Sequence, residues 1–215
     1  MKMNLPNKLT MLRVLLVPFF VAFLLLEPDH PDFKWAALGI FVIASITDML
    51  DGMIARKYNL ITNFGKFADP LADKMLVCSA LVCLSVLGWV PVWMTLVVII
   101  REFIISGFRL IAAEQGKVIA ASWWGKWKTA VTMIAVILQL YLINANGVPG
   151  VTADPDVTTI IAGNTGFVPA IVYAHSADPV YVYACLFAYG LFWIATILTV
   201  VSLVDYMVKN KEVLR

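Results

Sequence analysis

Charge is scarce in this chain. Of its 215 residues only 14% are Asp, Glu, Lys or Arg, while 61% are apolar, and the mean hydropathy is +0.87. A soluble domain carries about a quarter charged residues. A chain this apolar cannot cover a water-facing surface, which excludes a soluble enzyme, a disordered chain and a nucleic-acid-binding domain. Cysteine is also scarce. Cys78, Cys83 and Cys185 all lie in apolar stretches, without the spacing of a metal site or a disulfide framework. The two histidines, His30 and His175, fall far from the acidic motif described below. Lys and Arg are missing altogether from residues 144–179.

Long apolar runs fill the rest. Spans of roughly 20 residues predict helices near 9–26, 35–57, 70–88, 91–113, 127–144 and 180–207. The expected fold class is therefore an all-α membrane protein of six transmembrane helices, forming a single domain over residues 1–215. The first span is expected to stay in the protein, because no small-residue cleavage site follows it. Turn signals mark the breaks: EPDHPDF (27–33), the stretch from Gly88 to Pro91, and Gly116. Residues 144–179, rich in Gly, Pro, Thr and Asp, read as a long loop between helices 5 and 6. The basic residues set the orientation. They gather at the termini (Lys2, Lys8, Arg13; Lys209, Lys211, Arg215), around the second break (Arg56, Lys57, Lys66, Lys74) and around the fourth (Arg109, Lys117, Lys126, Lys128). Both termini and these two connectors are expected in the cytoplasm, and loop 144–179 outside. The tryptophans, Trp89, Trp93, Trp123, Trp124 and Trp127 among them, fall at predicted helix ends, as an interfacial belt would.

Against this background four aspartates stand out. Asp48 and Asp51 lie near the cytoplasmic end of the second helix, and Asp69 and Asp73 begin the third. On a helix, 48 and 51 are about 60° apart and 69 and 73 about 40° apart. A short hairpin makes the two helices antiparallel neighbours, so the four carboxylates can converge. Such a cluster at membrane depth needs positive charge inside it. Hard oxygen ligands select Mg²⁺, Mn²⁺ or Ca²⁺, and four carboxylates suit two divalent ions that also grip a pyrophosphate. Gly52 and Ala55 leave room for a ligand near the backbone, or serve helix packing. Arg56 can fork onto phosphate oxygens or act as a positive-inside anchor. Gly65 is expected in a tight turn of the hairpin. Any one aspartate alone would read as a helix cap or a partner of Lys57 or Lys74.

The segment DMLDGMIARKYNLITNFGKFADPLAD (48–73) fits D-x2-D-G-x2-A-R-x8-G-x3-D-x3-D at every fixed position. It resembles the CDP-alcohol phosphotransferases. PNKLTMLR near the start (with Asn7, Thr10 and Arg13), REFIISGFRL (101–110) and GKWKT (125–129) are similar to the members that join CDP-diacylglycerol to sn-glycerol 3-phosphate. The likeness covers roughly residues 4–143, and loop 144–179 is longer than the family leads one to expect. The resemblance implies six transmembrane helices around a cytoplasm-facing polar cavity, a homodimer, and a place in the bacterial cytoplasmic membrane. It implies Asp48, Asp51, Asp69 and Asp73 as ligands of two Mg²⁺ or Mn²⁺ ions, and Asp73 as general base. It also implies Gly52, Arg56 and Gly65 as the CDP-holding residues.

The implied chemistry is direct displacement, since no Ser, His or Cys is placed as a covalent nucleophile. A phosphorylated acceptor needs further cations. Arg101 and Arg109 lie within about 80° of one another on one helix, and Lys126 and Lys128 begin the next. These four are the candidates for the acceptor's phosphate. Arg101 has a structural alternative, a pair with Glu102, and the two lysines have another in anchoring. Asn7, Thr10 and Arg13 could line the cavity mouth, with lipid phosphate as the alternative partner of Arg13. Inositol phosphate, serine or phosphatidylglycerol are other possible acceptors, although an uncharged one leaves Arg109, Lys126 and Lys128 with less to do. Intramembrane prenyltransferases organise their aspartates differently. A divalent-cation transporter has no need of Arg56 beside its metal and should show repeats, which this chain lacks.

Overall fold

The computed structural model describes residues 5–25, 31–57, 63–115, 122–146 and 179–211. They form six helices: α1 (Leu5–Leu25), α2 (Pro31–Lys57), α3 (Asn63–Val86), α4 (Val92–Glu114), α5 (Trp123–Asn146) and α6 (Pro179–Lys209). No strand occurs among the described residues. The helices match the six expected spans, but most begin earlier. α3 starts at Asn63 rather than near 70. Polar first turns extend a helix beyond its apolar run, so hydropathy underestimates the length. Gly65 consequently lies in the first turn of α3, and not in a hairpin turn as expected. Most of the expected outward loop, residues 147–178, lies outside the described residues, as do His30 and His175.

Local chemistry explains several of the helix ends. α2 opens on Pro31, whose missing N–H costs nothing at a first helical position, with Asp32 facing the positive end of the helix dipole. α3 ends in a Schellman turn: the Trp89 amide donates to the Leu84 carbonyl at 2.9 Å and the Gly88 amide to the Ser85 carbonyl at 3.1 Å. Gly88 supplies the positive φ this turn requires, 76°. Pro91 follows, and its carbonyl accepts from the Met94 and Thr95 amides as α4 begins. α5 is capped by Ser122, whose hydroxyl accepts from the Gly125 amide at 3.1 Å.

α1 packs against both α2 and α3, α5 against α6 and α2, and α4 against α6 and α3. Direct contact between α2 and α3 is slight, so α1 is the element that joins them. Side-chain pairs fix the directions. Phe20 meets Phe41 and Phe23 meets Phe33, while Arg13 reaches Asp48; α1 and α2 are antiparallel. Ser85 bonds Thr95 and Lys74 bonds Ser106; α3 and α4 are antiparallel. Arg101 bonds Ser202 and Phe108 packs edge-on against Tyr206; α4 and α6 run parallel.

α1, α5 and α6 are long and apolar enough to cross a membrane by length and composition alone. α2, α3 and α4 carry more of the charge, yet every helix turns bulky apolar side chains outward. Leu15 and Phe19 on α1, Ile43 on α2, Val82 on α3, Phe103 on α4, Ile134 on α5 and Phe187 on α6 are all exposed. A water-soluble surface does not carry such a continuous apolar coat; this is a multi-pass membrane protein. Trp123, Trp124 and Trp127 are exposed and packed edge-on at the start of α5, as a belt requires. Trp89 departs from the belt expectation, because it is fully buried. The Schellman turn folds it back onto the core beside Leu84.

Candidate functional site

The buried face of α1 recurs at helical spacing: Asn7, Thr10, Arg13, Val17, Phe20 and Leu24. Its first half is polar and its second apolar. On α2 the buried stripe runs Ala37, Phe41, Ala44. Steps of three and four residues carry that stripe on to Asp48 and Asp51. On α3 it runs back from Ala80 and Leu76 to Ala72, and the same steps reach Asp73 and Asp69. By helical spacing the four positions fall in register with these stripes, on two helices that share α1 as a neighbour.

Arg13 is fully buried, and its guanidinium meets the Asp48 carboxylate at 2.5 Å while Asp48 is 38% exposed. Its Nε also donates to the Ala44 carbonyl at 3.3 Å. Arg13 therefore faces the interior and the Asp48 carboxylate. The sequence reading missed this pair. The available signal was the Asn7–Thr10–Arg13 spacing, which marks one face but not what that face meets. The side chains of Asp51, Gly52, Arg56, Gly65, Asp69 and Asp73 lie outside the described ones, although their positions on α2 and α3 are given. Among the described residues no three His, Cys, Asp or Glu side chains cluster as a metal site.

A second polar group joins α3, α4, α5 and α6. Glu102, on α4, accepts from Arg101 Nη1 at 2.9 Å and from Lys128 on α5 through the same oxygen. Arg101 also donates to the Ser202 hydroxyl of α6 through Nε at 3.2 Å and Nη2 at 3.0 Å. Arg101 and Lys128 are both buried. Lys74, on α3, donates to the Ser106 hydroxyl, which in turn donates to the Glu102 backbone carbonyl at 2.5 Å. Gly125 lets α5 approach this group closely: a Cβ there would sit 3.3 Å from Arg101 Nη2. Beside the group lies a cavity lined by Lys74, Cys78, Glu102, Lys128, Thr129 and Thr132, with apolar walls from α3, α4 and α5.

The expected acceptor residues thus divide. Lys128 lines the cavity, and Arg101 lies behind it, engaged with Glu102 and Ser202. Arg109 and Lys126 are exposed and do not line it. Lys74, Ser106 and Ser202 belong to the group and were not singled out from sequence. Isolated serines in apolar helices carry no signal of their own, and Lys74 reads as one more basic residue near a helix end.

The described residues form a six-helix membrane bundle with an apolar core at one end and a charged interior at the other. The chain belongs to the CDP-alcohol phosphatidyltransferase family, whose model matches residues 3–201. Among its relatives, the CDP-diacylglycerol–glycerol-3-phosphate 3-phosphatidyltransferase of Bacillus subtilis (strain 168) is 47% identical over 143 residues, covering 62% of this chain and 74% of that protein. The enzymes of the same name from Haemophilus influenzae and Escherichia coli (strain K12) are 48% and 43% identical, covering 63% and 67% of this chain and 75% and 80% of their own lengths.

Proposed function

We propose that the protein is a phosphatidylglycerophosphate synthase: it moves the phosphatidyl group of CDP-diacylglycerol to sn-glycerol 3-phosphate and releases CMP. The observation that carries this reading is the cavity lined by Lys74 and Lys128, which lies against the same end of α3 whose sequence holds Asp69 and Asp73. An acidic site for a metal-bound pyrophosphate beside a basic site for a second phosphate is what this reaction needs. The names of the relatives support the choice of acceptor.

The donor set suits two Mg²⁺ or Mn²⁺ ions. Asp48, Asp51, Asp69 and Asp73 offer only hard oxygens, and Arg13 steadies the Asp48 carboxylate. Held by these carboxylates, such ions would supply charge neutralisation for the leaving group. Arg56, with Gly52 and Gly65, holds the CDP phosphates. Asp73 takes the proton of the acceptor's primary hydroxyl. That oxygen bonds to the phosphorus bearing the diacylglycerol, the bond from that phosphorus to the bridging oxygen breaks, and CMP departs. Lys128, with Arg101 set by Glu102, favours an acceptor that carries phosphate. The site opens to the cytoplasm, the termini lie on that side, residues 144–179 lie on the other, and the chain works as a homodimer in the bacterial cytoplasmic membrane.

The test uses purified protein in detergent with CDP-diacylglycerol, labelled sn-glycerol 3-phosphate and Mg²⁺ or Mn²⁺. CMP and labelled phosphatidylglycerophosphate should form together. Asp73→Asn should lower kcat by at least about 10²-fold, the usual scale of a lost general base, with an unchanged melting profile. Near-normal turnover in that variant would refute the mechanism.

A further inference from the structure

Among the described residues Arg13 is the one charged side chain with no exposure at all. It grips α2 at two points one turn apart. Its Nη1 meets Asp48 Oδ1 at 2.5 Å, and its Nε donates to the Ala44 carbonyl at 3.3 Å. In an α-helix the carbonyl of residue 44 also accepts from the amide of residue 48, and the Thr47 hydroxyl donates to it as well, at 2.8 Å. The guanidinium is therefore tied both to the Asp48 carboxylate and to the backbone that carries it. One carboxylate oxygen is engaged, yet the Asp48 side chain keeps 38% exposure. A planar fork can hold two such points at once, whereas an ammonium offers a single point charge.

The same helix governs the spacing of the acidic positions. α1 packs on both α2 and α3, while α2 and α3 scarcely touch, so the placement of Asp48 and Asp51 relative to Asp69 and Asp73 is set through α1. Because α1 and α2 are antiparallel, positions on the two helices run in opposite order from the Arg13–Asp48 contact. Equal rise per residue then puts Thr10 about level with Asp51 and Asn7 about level with Ala55. Asn7 and Thr10 are buried on the face that also carries Arg13. The polar half of α1 thus runs alongside the acidic segment of α2.

We infer that Arg13 is a positioning residue of the metal site: anchored on the Ala44 carbonyl, it orients the Asp48 carboxylate, so that α1, which carries no motif aspartate, helps to set how tightly a divalent ion binds. This rests on the transferase reading, with its aspartates as Mg²⁺ or Mn²⁺ ligands, and adds the residue that orients one of them. Partners that hydrogen-bond a ligating carboxylate are worth about 10- to 100-fold in metal affinity. A positive charge acting only by repulsion would have the opposite sign, so the direction of the effect separates orientation from charge.

The test is Mn²⁺ binding to the full chain in detergent, read from the electron paramagnetic resonance signal of free Mn²⁺ with no substrate present. Arg13→Lys keeps the charge and loses the fork, and Arg13→Met loses both. Each should raise the Kd for Mn²⁺ by about 10- to 100-fold. In turnover assays the Mn²⁺ concentration giving half-maximal rate should rise in parallel, and saturating Mn²⁺ should return kcat to near the wild-type value. Metal rescue of this kind is not what a misfolded variant shows, and Arg13→Lys serves alone if Arg13→Met does not fold. Wild-type Mn²⁺ affinity in Arg13→Lys overturns the proposal, as does tighter binding by Arg13→Met, which would make Arg13 a repelling charge. So does a loss of kcat that saturating Mn²⁺ does not restore. A wild-type protein that binds Mn²⁺ but releases no CMP would instead defeat the transferase reading, and the resonance signal would still decide the role of Arg13.

Discussion

The two ends of the bundle are built by opposite rules. At one end Phe20, Leu24, Phe41, Leu81, Leu84, Trp89, Met94, Leu140 and Ile143 form a continuous apolar core. At the other, Arg13, Arg101, Lys128, Thr199 and Ser202 are buried with Asp48 and Glu102 beside them. Each helix crosses from one regime to the other along its own inward stripe. The polar half comes first on α1, α3 and α5 and last on α2, α4 and α6, as alternating directions demand. Lipid offers little hydrophobic drive for helix association, so the apolar end is held by close packing. The polar end is held by ion pairs and hydroxyl bonds that would be costly to break. Exceptions mark the rim of the apolar end, where the backbone carbonyl of buried Lys34 accepts from Asn144 Nδ2 at 3.3 Å.

The comparison is broken most severely at Glu102. Glu102→Leu would leave Arg101 and Lys128 buried without their shared carboxylate. Removing one partner of a buried ion pair costs about 3–5 kcal/mol, so a large drop in the detergent melting temperature should accompany loss of acceptor binding. Stability and activity should fall together, and a Glu102→Leu protein that melts like the wild type would show that the network contributes little to the fold. Leu84→Ala, in the apolar end, should behave differently. Truncating a fully buried leucine costs about 2–5 kcal/mol, yet Leu84 lies well away from the polar cluster in the α3 stripe. The melting temperature should fall while KM values, measured below it, stay within about twofold of wild type, since distant independent sites do not couple. A changed acceptor KM would mean that the core and the site are one cooperative unit.

Much of this division could be read from sequence, and the reasons differ between the two ends. Helix number and approximate position follow from apolar runs, because a bilayer sets the length of a span. The aspartate pairs were visible because carboxylates are rare in such a chain and their spacing marks a face. What pairs with what was not visible. Arg13 and Asp48 are 35 positions apart in a chain whose other charges offer many alternatives, and only the packing of α1 on α2 brings them together. Arg101 was open between phosphate and Glu102. The carboxylate does engage it, and Ser202, from the far end of the chain, holds it in place. Arg109 is exposed because the buried stripe of α4 runs through Arg101, Ile105, Phe108 and Ala112, and position 109 is turned about 80° from Arg101, off that stripe.

The gentlest perturbation falls at the turn joining α3 to α4, the most rigidly specified connection among the described residues. Gly88 adopts φ 76° there so that two amides can close onto the end of α3. A side chain at that φ brings Cβ against the following carbonyl, at a cost of about 1–2 kcal/mol. Gly88→Ala should therefore lower the melting temperature less than Leu84→Ala does, and leave both KM values unchanged. Gly88→Asn should lose less than Gly88→Ala, because asparagine tolerates the left-handed region. If alanine and asparagine were equally costly, the penalty would come from crowding around buried Gly88 and not from its backbone. The apolar end would then be limited by packing even at its turn.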